Sequence, residues 1–64
     1  MKLVINGDPQ EVSGATLADV LTEIGVSARV ATAVNEVFVP AAKRAETPLS
    51  PGDRIEILAP MQGG

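Results

Sequence analysis

The stretch Thr16-Leu17-Ala18-Asp19-Val20-Leu21-Thr22-Glu23-Ile24-Gly25 decides the fold. Leu17, Val20, Leu21 and Ile24 stand at i, i+3, i+4 and i+7, which is one face of a helix. Thr16 suits the N-cap, where its hydroxyl accepts a backbone N–H that has no helical partner. Asp19 occupies the third helical position and completes a capping box, although Glu is the commoner residue there. Gly25 follows the last periodic residue, where a left-handed residue ends a helix, and Val26 is placed to fold back on Leu21. Asp19 and Glu23 lie four apart on the other face and read as a solvated polar surface. One helix with one apolar face needs a sheet to cover it.

The strands flank this helix. Met1 to Ile5 is an apolar, β-rich run stopped by Asn6-Gly7-Asp8-Pro9, a turn signal in which Asn-Gly favours positive φ. Gln10 to Val12 reads as the returning strand, closed by Ser13-Gly14. After the helix, Val30 to Val34 is strand-like, Asn35-Glu36 is a short turn, and Val37 to Val39 is a strand ended by Pro40. Ala41 to Ala45 fits one helical turn. Ser50-Pro51-Gly52-Asp53 has Pro and Gly where a type II turn needs them. Arg54 to Leu58 then alternates polar and apolar, as a half-buried strand does. The order predicts an α+β roll over residues 1–64, with one main helix on a single mixed sheet of four to five strands. A flexible tail, 60–64, follows.

Composition narrows the chemistry. Sixty-four residues make one domain, which buries only about 60% of its unfolded surface and leaves no room for a deep active site. The core must be aliphatic, because Phe38 is the one aromatic. There is no Cys and no His, hence no disulfide, no thiol nucleophile and no imidazole base. Ser13, Ser27 and Ser50 sit beside turns with no base to activate them. The carboxylates lack calcium-loop spacing. A net charge of −3 argues against nucleic acid, and Lys43-Arg44 reads as a solvated pair. No apolar run is long enough for a signal peptide or a membrane span, so the cytoplasm is expected. These residues contain no self-contained catalytic set.

The tail is what remains. At a Gly frequency of roughly 7%, a chance Gly63-Gly64 ending has a prior of about 0.5%. Glycine keeps such an arm narrow and lets φ take either sign. The four residues beyond Pro60 extend about 14 Å at most. Adenylation would turn the Gly64 carboxyl into a mixed anhydride that a sulfur nucleophile or an amine can attack. That chemistry needs the tail inside another protein's pocket. Ordering four residues opposes docking by roughly 4–8 kcal/mol, so an apolar surface is needed to offset it. If Ile55 and Ile57 face the helix, then Leu58 points away from it, and the same alternation turns Val4 and Phe38 outward. Phe38 is equally suited to fill a small aliphatic core, and both placements stand at this point. The expected partner-binding set is Val4, Phe38 and Leu58 on the sheet, with Met61 and Gln62 on the tail.

The element order, the run Val34-Asn35 through Val39-Pro40, the segment Thr47-Pro48-Leu49-Ser50-Pro51-Gly52-Asp53-Arg54-Ile55 and the Gln62-Gly63-Gly64 end together resemble the ThiS family. One position departs: Glu36 follows Asn35, where family members often carry Gly. The resemblance spans the whole chain. It implies a ubiquitin-like β-grasp fold and a sulfur carrier of thiamine thiazole biosynthesis, monomeric when free. An E1-like adenylyltransferase (ThiF) would activate Gly64 with ATP and magnesium, which are the partner's cofactors and not this chain's. Sulfur relayed from a cysteine desulfurase would make the thiocarboxylate, and thiazole synthase (ThiG) would consume it. Gly63 would be required for activation. The carrier would be a substrate of these enzymes rather than an enzyme. The alternatives are the small subunit of molybdopterin synthase, another ubiquitin-like sulfur carrier, and a protein modifier.

Overall fold

The computed structural model describes residues 1–27 and 29–59. Strands β1 (Lys2–Ile5) and β2 (Asp8–Glu11) form a hairpin, followed by helix α1 (Leu17–Ile24). Strands β3 (Ala31–Val34) and β4 (Val37–Val39) form a second hairpin. A 3₁₀ helix (Ala41–Glu46) leads to β5 (Arg54–Leu58). The five strands make one mixed sheet in the order β2-β1-β5-β3-β4. Strand β5 runs parallel to β1 and antiparallel to β3. The last strand in sequence is therefore the middle strand in space.

The helix forms as its sequence dictates. Thr16 accepts from the Asp19 N–H, and the Asp19 carboxylate accepts from the Thr16 N–H, completing the capping box. Gly25 ends the helix at φ 79°, in the left-handed region that side chains disfavour. The Val26 N–H then donates to the Leu21 carbonyl, closing the Schellman pattern. Leu17, Val20 and Leu21 bury against Leu3, Ile5, Val39 and Ile55 of the sheet, with Val12 and Leu49 at the margins. Among the described residues, no helix is long and apolar enough to cross a membrane.

Three expectations change. Strand β2 begins at Asp8 rather than Gln10 and includes Pro9. Asn6 (φ 50°) and Gly7 (φ 85°) suffice as a two-residue hairpin loop. Pro9 is tolerated because β2 is an edge strand. Glu23 does not simply face water: its carboxylate accepts from the Ser13 and Gly14 N–H groups at 2.8–3.0 Å and ties the loop before the helix to its last turn. Gly14 permits this approach, since a Cβ there would lie 2.8 Å from the Asp19 Cβ.

Lys43 and Arg44 also part company. Lys43 is exposed and pairs loosely with Glu46 at 3.7 Å. Arg44 is buried, its Nε donating to the Thr32 hydroxyl at 3.1 Å and its guanidinium also reaching the Val30 carbonyl. Thr32 in turn donates to the Val39 carbonyl at 2.8 Å. A 3₁₀ helix turns once every three residues, so adjacent side chains point about 120° apart, and here Arg44 takes the inward direction while Lys43 does not.

The β3–β4 turn keeps its two-residue form despite Glu36. Asn35 and Glu36 adopt φ 50° and 73°. A side chain in this region costs roughly 1–2 kcal/mol, and the exposed Glu36–Arg54 pair at 3.6 Å offsets little of it. Glu36→Gly is expected to raise stability by about 0.5–1 kcal/mol. A urea titration checks this, and a fall in the midpoint would show that the turn is not strained.

Candidate functional site

The sheet has an inner face under α1 and an outer face with no element across it among the described residues. Alternation along β5 sets the split. Ile55 is buried on the inner side, whereas Arg54, Glu56 and Leu58 are exposed on the outer side. Strand register carries that outer row across the sheet: Val4 lies beside Arg54, Ala33 beside Glu56, Ala31 beside Leu58 and Phe38 beside Ala33.

Phe38 is therefore not a core residue. Its side chain is 66% exposed and Leu58 is 65% exposed. Val39, its neighbour in β4, fills the inner position instead. The fold accommodates this because four aliphatic residues of β1, β4 and β5 already cover the helix stripe. Phe38 and Leu58 border one shallow apolar groove of about 70 Å³, floored by Ala31 and Ala33 and closed at one side by Glu56. The small alanine side chains leave the two large ones standing above the sheet.

Val4 shares the outer face but not this groove. It is half-buried between Pro9 on β2 and Arg54 on β5. It lines a separate opening of about 250 Å³ with Gly7, Glu36, Arg54 and Glu56. Alternation alone placed Val4, Phe38 and Leu58 on one face. It did not show that Glu56 stands between the two depressions. The i, i+2 spacing of Arg54, Glu56 and Leu58 is the signal in the sequence that puts Glu56 on this face as well. Met61, Gln62, Gly63 and Gly64 lie outside the described residues. Among the described residues, no group of three carboxylates is placed to hold a metal ion.

A five-stranded mixed sheet, one helix across it, and a last strand in the centre that leads to the C-terminal segment define a β-grasp domain of the ubiquitin-like kind. The ThiS family model matches residues 3–64. The sulfur carrier protein ThiS of Thermus thermophilus is 41% identical over 61 residues, which cover 94% of this chain and 95% of that protein. The crystal structure of a thiamine biosynthesis protein (ThiS) from Geobacter metallireducens superposes over all of both chains with a TM-score of 0.82 at 28% identity. A thiazole synthase of Paramagnetospirillum magneticum is also 41% identical, over 66 residues that take in all of this chain but only 20% of that protein. The chain belongs to the ThiS family.

Proposed function

We propose that this chain is the sulfur carrier of thiamine biosynthesis and that Gly64 carries the sulfur. One oxygen of the Gly64 carboxylate attacks the α-phosphorus of ATP, and pyrophosphate leaves. Sulfur relayed from a cysteine desulfurase as a protein persulfide attacks the acyl carbon through its outer sulfur, and AMP leaves with the oxygen. A partner thiol then cleaves the S–S bond of the acyl disulfide, releasing the thiocarboxylate and forming a disulfide that an external thiol reduces. The thiocarboxylate gives up its sulfur to thiazole synthase. ATP and magnesium belong to the E1-like adenylyltransferase, and this chain is its macromolecular substrate.

The observation that carries this reading is the family match over residues 3–64, which runs through the Gly63-Gly64 end. The thiazole synthase that contains a stretch 41% identical to the whole chain supports a thiazole acceptor over a molybdopterin one. Joining a carrier to its acceptor raises their effective concentration without any new contact. The test incubates the protein with ATP, a ThiS-family activating enzyme and a sulfur source, followed by intact mass. An oxygen-to-sulfur exchange at Gly64 is expected, and its absence sinks the proposal.

The groove of Phe38 and Leu58 is the proposed docking surface; Val4 on the sheet and Met61 and Gln62 in the tail sequence are proposed as further partner contacts. Burying two such side chains supplies about 1.5–3 kcal/mol each, comparable to the roughly 4–8 kcal/mol needed to order four tail residues. The association is then transient, as a carrier that visits several enzymes requires. Phe38→Ala is expected to shift stability by less than about 0.5 kcal/mol and to raise KM for the activating enzyme about ten- to a hundredfold. ATP–pyrophosphate exchange at varied carrier concentration reads this, and an unchanged KM would remove Phe38 from the interface.

A further inference from the structure

We propose that Asn6 is a positioning residue for activation of the tail: its side chain holds the backbone of Ile57 and so sets the direction in which the chain leaves the sheet. The inference rests on the sulfur-carrier reading above. Strand β1 ends at Ile5, and its ladder to β5 pairs only Val4 with Arg54 and Ile5 with Ile55. Two residues further along β5, Ile57 has no strand neighbour on that side among the described residues. The Asn6 amide takes the place of one. Its Oδ1 accepts from the Ile57 N–H at 2.8 Å, and its Nδ2 donates to the Ile57 carbonyl at 3.1 Å. On the other side, the β3 ladder ends with Ala31 beside Leu58. Among the described residues, Asn6 and Ala31 are thus the last that grip β5.

Asn6 makes these bonds from a turn position at φ 50°, where Asn is tolerated and its short amide reaches back to the backbone. A carrier seated by Phe38 and Leu58 must also deliver its terminal carboxyl to a fixed point. Holding Ile57 fixes the point and direction from which the tail sets out, so that a docked carrier presents its carboxyl in a productive orientation.

The molecule contains its own control. Asn35 holds the same position in the other hairpin turn, also at φ 50°. Its Oδ1 accepts from the Arg54 N–H at 2.9 Å and its Nδ2 donates to Asp53 Oδ1 at 3.0 Å. It therefore grips the start of β5, at the end remote from the tail. Asn6→Gly and Asn35→Gly both keep the positive φ and remove only the clamp. The experiment measures adenylation of the full chain by ATP–pyrophosphate exchange, with urea titrations of both variants alongside. Asn6→Gly is expected to lower kcat about tenfold with KM for the carrier unchanged, and to speed hydrogen exchange at the Ile57 amide. Asn35→Gly is expected to keep the wild-type kcat at a similar loss of stability. Should Asn6→Gly fail to fold, Asn6→Asp, which keeps the acceptor for the Ile57 N–H, is read in its place and loses less. Equal losses in both variants, no loss in either, or a rise in KM alone would overturn the inference. A wild-type chain that is not adenylated at all overturns the sulfur-carrier reading instead.

Discussion

Removal of Gly63 and Gly64 is expected to abolish sulfur loading while leaving the unfolding midpoint where it is. Every buried core residue among the described residues lies between Leu3 and Ile55. The capping of α1, the Glu23 tie and the two Asn clamps all close within residues 6–57. Truncation leaves each of these contacts in place, and changes away from such contacts stay within about ±0.5 kcal/mol. On the sulfur-carrier proposal the expected loss is complete because the shortened chain ends at Gln62, whose carboxyl falls short by two residues, about 7 Å of extended chain, and carries a side chain beside it. Gly63→Ala tests a narrower point. A Cβ widens the arm and disfavours positive φ, so activation should fall while the midpoint holds. Intact mass after incubation with ATP, activating enzyme and sulfur source reads both variants. Loading of the truncated chain would move the reactive group elsewhere, and full loading of Gly63→Ala would end the narrow-channel argument.

The second large effect is on the fold. Ile55→Ala is expected to destabilise the domain by about 2–5 kcal/mol, the range for large-to-small changes in a packed core. A chain of 64 residues has a total stability of about 3–10 kcal/mol at the usual 0.05–0.15 per residue. One substitution thus removes much of the margin. Ile55 is 1% exposed and sits on the central strand, opposite Ile5 on one side and Val34 on the other. Its ladder neighbours Ile5 and Val34 are held by the sheet and cannot collapse fully into the space. Urea titration at 25 °C gives the loss directly. A shift below about 1 kcal/mol would mean that the core repacks around the cavity. The contrast with Phe38→Ala is the sharper test, since the larger side chain should matter less to stability.

The helix was legible because every signal for it is local. Periodicity, the Thr16–Asp19 box and the Gly25 ending all fall within ten consecutive positions, and the structure reproduces each. The turns at Asn6-Gly7 and Ser50 to Asp53 were legible for the same reason: positive φ at Gly7 and Gly52 is a property of the residue itself. The start of β2 was misplaced because Pro9 reads as a breaker unless its strand is known to be an edge. Glu23 and Arg44 were read as surface charges because their partners, Ser13, Gly14, Thr32 and Val30, are nine or more positions away.

The sequence by itself determined the helix, most of the strand positions, the turn chemistry and a side-chain inventory without His or Cys. These follow from bond rotation, side-chain spacing and functional-group inventory, all readable over a few residues. Tertiary structure decided that Phe38 faces outward, that Val4 and Phe38 belong to different depressions, and that Asn6 grips Ile57 across 51 positions. Those outcomes depend on strand order. Placing the final strand between β1 and β3 brings distant residues into register, and no local pattern carries that information.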